Sequence, residues 1–323
     1  MVTSSLSDTG PDPIHFLVAP GFSMLGLFSA TEPLRVANQF HNDLFSIHFV
    51  SVDGLPVRAS NGIDFKVECS IYSISQPSAF FICAGFQPDC ICAPELLSRL
   101  RTMALSSTIL GGIDTGSVVL ARAGVLKNYR ATVHWEHLAA FKEDFLDVKV
   151  TGSLFEIDRN RFTSSGGTSS IDLMLQLISL KYGYELAVSV SEQLIHERIR
   201  EPHDDQRIPF NLRLQVHHPK LIKIVELMEN TLDDPLSIAD LAKTIDMSSR
   251  QLTRVFQQNL DVSPGRFYLK LRLEKAGQLL RQTSMSILDI ALVCGFLSNA
   301  SFTKSYKSFF GHTPRQEREA ASR

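Results

Sequence analysis

Sulfur chemistry is the first thing this chain lacks. Its five cysteines, Cys69, Cys83, Cys90, Cys92 and Cys294, are odd in number, include no C-x-x-C pair and have no histidine at zinc spacing. A disulfide framework and a zinc finger are thereby excluded, and the thiols are expected to be reduced and mostly buried, with no metal and no cofactor implied. Also missing is any apolar run approaching the roughly 20 residues that cross a bilayer. Residues 1–13 are polar, contain Gly10, Pro11 and Pro13, and have neither a basic n-region nor an apolar h-region, so a disordered tail is expected there rather than a signal peptide. These absences point to a soluble cytoplasmic protein. Bulk charge is missing too: 32 Lys and Arg against 34 Asp and Glu leave a net charge of -2.

That balance conceals an asymmetry. Residues 1–235 carry 19 Lys and Arg against 27 Asp and Glu, a net -8, whereas residues 236–323 carry 13 against 7, a net +6. A chain of 323 residues with 44% apolar composition is long enough for two domains, each with its own core. A basic module on an acidic body suits a polyanionic partner at one end only.

The basic part contains an internal repeat. Ser237-Ile-Ala-Asp-Leu-Ala, Arg250-Gln-Leu-Thr-Arg-Val-Phe and Val262-Ser-Pro264 are answered by Ser286-Ile-Leu-Asp-Ile-Ala, Ala300-Ser-Phe-Thr-Lys-Ser-Tyr and His312-Thr-Pro314, at an offset of about fifty residues. Ser237 with Asp240, and Ser286 with Asp289, have the spacing of a helix start. Each short helix leads through a turn into a second helix opened by serine. On the first of these second helices Leu252, Val255 and Phe256 share one face, and Arg250, Thr253, Arg254 and Gln257 the opposite one. On the other, Phe302, Tyr306 and Phe309 are the expected anchor, and Asn299, Ala300, Thr303, Lys304 and Lys307 the ridge. A short polar and cationic ridge on a helix anchored by its back fits base edges and phosphates in a major groove. Ala300 offers only apolar contact with a thymine methyl. Two arginines on the first ridge predict that the first reader supplies more base specificity and the second more backbone contact. Residues 264–283, at about 1.5 Å each, form a spacer helix of about 30 Å. That is close to the roughly 34 Å turn of B-DNA, which would place two readers on successive major grooves.

The run Ser249-Arg-Gln-Leu-x-Arg-x-Phe256, with Leu271-Arg-Leu273, Ile290-Ala-x-x-x-Gly-Phe296 and Phe309-Phe-Gly-x-x-Pro314, resembles the AraC/XylS-type DNA-binding domain over residues 236–318. The resemblance implies base-facing positions at Arg250, Thr253 and Arg254 in the first unit and at Asn299, Ala300, Thr303 and Lys304 in the second.

Before the repeat, the apolar β-rich runs His15–Ala19, Phe45–Ser51, Ala79–Ala84 and Ile109–Asp114 alternate with helix-like stretches at 30–39, 94–105 and 117–123. That order predicts an α/β domain with a largely parallel sheet, whose ligands bind at the carboxyl ends of strands. Gly112-Ile-Asp-Thr-Gly116 has the spacing of a nucleophile elbow, with Asp114 where a nucleophile would stand. Together with Pro20-Gly-Phe22, Ala84-Gly85, Ala131-Thr-Val-His134-Trp135 and Thr163-x-x-Gly-Gly-Thr-x-x-x-Asp172, it resembles a ThiJ/PfpI-like, class I glutamine-amidotransferase-like domain over residues 14–200.

The resemblance implies an α/β flavodoxin-like parallel-sheet domain followed by an all-α domain with two helix-turn-helix units. Catalytic members use an elbow Cys, a nearby His and an acid after the first strand. Here those positions hold Asp114, His134 and Gly26, which implies a pocket kept for binding and a chemistry that is lost. Regulators of this combined architecture respond to small nitrogenous metabolites such as glycine betaine, carnitine or arginine. The expected pocket comprises Asp114, His134, Trp135, Phe22 and Gly85. Asp114 is expected to be ionised at its helix N-terminus, and with the aromatics to suit a cationic amine or quaternary ammonium. Glu32 is expected to start a helix or pair with an Arg.

The expected division is thus a tail at 1–13, a sensing and dimerising domain at 14–200, a linker at 201–218 and a DNA-binding domain at 219–323. Helices at 169–182 and 186–199 are expected to cover the sheet or form a dimer face. The function expected is a ligand-responsive transcription regulator, an activator, with promoter DNA, a small-molecule effector, RNA polymerase and a second copy of the chain as partners. The alternative is a DNA-tethered amidase or peptidase.

Overall fold

The computed structural model describes residues 10–321 except 42, 76, 209, 214–216 and 284. The chain divides into two compact units, one ending at Gln206 and the other starting at Arg207.

The first unit runs β1 (Asp12–Val18), α1 (Met24–Phe40), β2 (Phe45–Ser51), β3 (Val57–Arg58), β4 (Asp64–Phe65), β5 (Cys69–Ser70), β6 (Ala79–Ala84), α2 (Pro94–Ala104), β7 (Ile109–Asp114), α3 (Gly116–Arg122), β8 (Arg130–Ala131), α4 (Leu138–Asp144), β9 (Lys149–Val150), β10 (Phe155–Asp158), β11 (Arg161–Ser164), α5 (Ser169–Tyr182) and α6 (Tyr184–Gln193). Seven strands form one sheet in the order β10-β11-β7-β6-β1-β2-β5. Every pair in it is parallel except β10 with β11. The apolar run Ala79–Ala84 is buried along its whole length, as a central strand covered on both faces must be. Alternation in β1 then divides the core: Ile14, Phe16 and Val18 join the cluster on one face, Leu17 the cluster on the other. From β1 the chain moves outward to β2 and later returns to the other side of β1 as β6. The sheet therefore has its topological switch between β1 and β6, where a parallel α/β sheet opens a crevice at its carboxyl end.

Four expectations need correction here. Residues 1–9 of the expected tail lie outside the described residues, and Asp12 and Pro13 already belong to β1, where Asp12 pairs with Lys181 at 2.7 Å. The second of the two late helices ends at Gln193 instead of 199, because Ile195 takes a left-handed conformation (φ 54°) and turns the chain away. The linker expected at 201–218 is also divided. The Pro202 carbonyl accepts from Leu154 N at 2.8 Å and Asp205 bridges Ser153, so this stretch is strapped to the first unit. Beyond it, Phe210 is buried in the second unit against Phe267. Finally, the hairpin β10–β11, which extends the sheet past β7, has no counterpart in the expected strands.

The second unit runs α7 (Phe210–Arg213), α8 (Pro219–Asn230), α9 (Ile238–Lys243), α10 (Ser249–Leu260), α11 (Pro264–Gln282), α12 (Ile287–Val293), α13 (Asn299–Phe310) and α14 (Pro314–Ala321). Its caps follow the sequence closely. Ser237, Ser248, Ser286 and Ser298 each accept from the backbone N–H three residues on, and Ser248 with Gln251 closes a reciprocal capping box. Each helix-turn-helix is backed by a further helix. Lys220 on α8 donates to the Ile245 carbonyl at 2.8 Å, and Arg272 on α11 donates to the Cys294 and Gly295 carbonyls at 2.7 and 2.6 Å. The repeat thus extends to three helices per unit.

Candidate functional site

In the first unit the elbow is real and tightly built. Asp114 ends β7 with φ 60°, a left-handed conformation that is costly for a residue with a side chain and is held by its surroundings. A Cβ on Gly112 would lie 2.7 Å from Ser117 Cα, and one on Gly166 would lie 2.7 Å from Asp114 Cβ. Both positions are closed to any other residue. Gly85 is constrained in the same way, since a Cβ there would run into the Gly21 carbonyl, and Thr115 Oγ1 donates to the Gly85 carbonyl.

These turns enclose a cavity of about 170 Å³ lined by Gly21, Ser23, Ser60, Gly85, Phe86, Asp114, His134, Glu136 and His137. Asp114, His134 and Gly85 thus meet there. Phe22 does not: it is fully buried, with its ring 5.7 Å from Phe65, because the turn after β1 directs it into the core. Trp135 is not among the lining residues either. In the 3-10 turn Trp135–His137 the neighbours His134, Glu136 and His137 line the cavity, while the indole packs 5.6 Å from the His134 ring. The aromatic side chain at the cavity is Phe86, 74% exposed.

The electrostatics also differ from expectation. Burial and then the Glu136 charge push Asp114 up to about 7, against a Thr115 backbone hydrogen bond. Near neutral pH it therefore holds its proton far more readily than an exposed aspartate, since the dipole of a seven-residue helix does not outweigh desolvation. Burial also lowers His134, opposed by Glu136, whose carboxylate lies 3.8 Å from Nδ1. Burial and then His134 bring His137 down to about 4, so both imidazoles are neutral at pH 7. Among the described residues no Lys or Arg lines the cavity, and its charged groups are carboxylates.

Two networks around the cavity were not foreseen. Asp172, fully buried, accepts from His196 Nε2 at 2.9 Å, from Arg200 N at 2.8 Å and from Arg200 Nη2 at 2.7 Å. Arg200 Nη2 also reaches Thr168 Oγ1 at 3.0 Å, next to the Gly166–Gly167 loop over Asp114. Gln206, the last residue of the unit, donates through Nε2 to Thr132 Oγ1, the Val133 carbonyl and the Ser153 carbonyl at 3.1, 3.2 and 2.8 Å. Thr132 and Val133 lead directly into His134. Glu32 pairs with Arg35 at 2.7 Å on α1 and takes no part in the cavity.

In the second unit Arg250, Thr253, Arg254 and Gln257 are exposed on α10, opposite the buried Leu252 and Phe256. Gln257 is held by Asp261, and Thr253 Oγ1 donates to the Ser249 carbonyl at 2.9 Å. On α13 Asn299, Ala300, Lys304 and Lys307 are exposed and Thr303 is half-buried. Thr303 Oγ1 donates to Asn299 Oδ1 at 3.2 Å. Arg250, Arg254, Lys304 and Lys307 form no ion pair among the described residues. Phe309 is not an anchor. It is 43% exposed, and Phe310 packs 4.6 Å from Tyr306 instead, because positions 302, 306 and 310 are the ones a full helical turn brings together. No described helix is long and apolar enough to cross a membrane, and no described group of three His, Cys, Asp or Glu is placed to hold a metal.

Comparison with known proteins agrees with this division. Residues 13–180 match the DJ-1/PfpI family, and residues 241–320 match a helix-turn-helix domain. The HTH-type transcriptional regulator CdhR of Pseudomonas aeruginosa is 48% identical over 303 residues, 94% of this chain and 90% of that protein. The HTH-type transcriptional regulator GbdR of the same species is 45% identical over 310 residues, 96% of this chain and 84% of that protein. Among solved structures, an AraC family transcriptional regulator from Pseudomonas putida is 30% identical with a TM-score of 0.54, covering 57% of this chain and all of that one.

Proposed function

Because this chain belongs to the AraC-type helix-turn-helix transcriptional regulators that carry a DJ-1/PfpI domain, we propose that it senses a small cationic nitrogenous metabolite at the Asp114 elbow and acts as an activator of transcription. The observation that carries the effector class is the cavity lining: two carboxyl groups, two neutral imidazoles and Phe86, with no Lys or Arg among the described residues. Such a site attracts an ammonium or guanidinium by charge and by the aromatic face, and repels an anion. Glycine betaine, carnitine and arginine are the candidates. Turnover is not part of the proposal, because Asp114 is a poor acyl-transfer nucleophile and Gly26 offers no acid. A Cβ at position 26 would lie 3.7 Å from Gly167 N, so that position faces the elbow loop but brings no group to it.

The exposed ridges of α10 and α13 are the proposed DNA readers, with Arg250 and Arg254 at base edges and Lys304 and Lys307 at phosphates. A homodimer formed through the first unit, contact with RNA polymerase and a cytoplasmic site of action complete the proposal. Isothermal titration of the full chain with betaine, carnitine and arginine tests the effector class. Saturable binding by at least one is expected, weakened roughly tenfold or more by Glu136→Gln, on the basis of about 1.5–3 kcal/mol for a hydrogen bond to a charged group. Binding of an anionic metabolite in place of all three would overturn it.

A further inference from the structure

The two helix-turn-helix units differ at a position outside both ridges. In the first, Met247 stands one residue before the N-cap Ser248 and packs against the cluster that contains Leu252 and Phe256. That is the ordinary place of an apolar residue preceding a cap, which staples the chain to the first turn and a half of the helix. In the second unit Leu297 holds the same place before the N-cap Ser298, yet it is 100% exposed. Phe296 has taken over the packing role: it is 5% exposed, and its ring lies 5.1 Å from that of Phe302.

The exchange has a backbone cause. The left-handed residue of the turn is Asp246 in the first unit (φ 52°), two before its cap, and Gly295 in the second (φ 72°), three before its cap. This one-residue shift moves the inward position from the residue next to the cap to the one before it. Arg272 then fixes the arrangement, since it donates to the Cys294 and Gly295 carbonyls and its guanidinium lies 4.1 Å from the centre of the Phe296 ring. Phe296 is locked in and Leu297 out.

A leucine wholly in water gains nothing from burial until something covers it. After the cap Ser298, Asn299 and Ala300 open α13, and the N-terminal residues of the second helix are those that reach base edges in a helix-turn-helix. The surrounding module carries a net +6. Ala300, also exposed, adds a second apolar surface at the same end.

We propose that Leu297, with Ala300, is an apolar reading point for thymine 5-methyl groups in the major groove. On this inference, which rests on the reading of the second unit as a DNA reader, that unit selects T·A pairs and is more than a backbone clamp. Arg272 is its positioning residue.

Selection of bound duplexes from a random library with the full chain gives the operator, and footprinting locates the part covered by the second unit. Each thymine there is then replaced by uracil, which removes only the methyl. At least one replacement should weaken the wild type by about fourfold, the scale of one buried methyl group, and leave Leu297→Ala unaffected. Because Leu297 is fully exposed, the variant keeps its fold. Equal uracil effects in wild type and variant overturn the inference, and so does a Leu297→Ala chain that loses transcription but keeps every duplex affinity, since a protein then covers the leucine. Lys304→Ala serves as the control for the wider reading: if it leaves the affinity for every duplex unchanged, the assignment of the second unit as a DNA reader fails with it.

Discussion

Asp114 shows how far a residue's chemistry can be read from its neighbours in sequence. The glycine spacing of the elbow was legible, and so was the replacement of a nucleophile by a carboxylate. The protonation state was not, because it is raised first by burial, which depends on packing remote in sequence, and then by Glu136, brought in by a 3-10 turn with no periodic signal. Held near 7 against an ordinary 3.8, the folded carboxyl binds its proton more tightly than the unfolded chain does. Its contribution to stability is thus fully present below about pH 4 and is lost as pH rises through 7. A cationic effector prefers the ionised form, so its affinity should rise between pH 6 and 8. Asp114→Asn should remove that rise, bind the cation more weakly at pH 8 and be the more heat-stable protein there. Calorimetry across this range decides the matter, and a pH-independent wild-type affinity equal to that of the variant would refute it. Comparing the two proteins isolates Asp114 from His15 and His137, whose values near 4 work in the opposite sense.

Elements were most legible where one short rule decides them. The run Ala79–Ala84 is a strand because it is apolar throughout, and the helix starts at Ser237, Ser248, Ser286 and Ser298 follow from their caps. Less legible were α8, whose support of α9 depends on a lysine reaching 25 residues along the chain, and β10–β11, where partners alternate too briefly to stand out. The turn between α12 and α13 depends on one glycine in a similar long-range way. A Cβ on Gly295 would meet Pro235 Cδ at 2.6 Å and the Leu232 carbonyl at 2.8 Å, in a backbone conformation that already disfavours side chains. Gly295→Ala should cost roughly 1–3 kcal/mol and lower the melting temperature of the full chain by several degrees. An unchanged melting temperature would show that the loop at 232–235 yields freely.

At the scale of the whole molecule, two domains are distinguished in the sequence by charge and by repeat, and the division at Gln206 and Arg207 falls inside the linker expected at 201–218. The stretch at 201–206 is polar and contains Pro202, which reads as linker, yet its bonds run to Leu154, Ser153 and Thr132, far away in sequence. Gln206 is therefore the point where the cavity-bearing unit hands the chain on, and it is bonded to the two residues that precede His134. Gln206→Ala should keep effector affinity within about twofold while largely abolishing the effect of that ligand on operator affinity. Parallel titrations of effector and of operator DNA separate the two, and full retention of the response would remove Gln206 from the route. The form of this anchor has a consequence of its own. An amide nitrogen has two hydrogens, and here three oxygens stand within reach while Oε1, buried, has no partner among the described residues. The Ser153 carbonyl also accepts from Thr132 Oγ1 at 2.7 Å, so all three oxygens stay satisfied while Nε2 serves the other two. The chain thus leaves the first unit through an anchor that has one more acceptor than it has hydrogens, so that the loss of any one acceptor still leaves both hydrogens bonded.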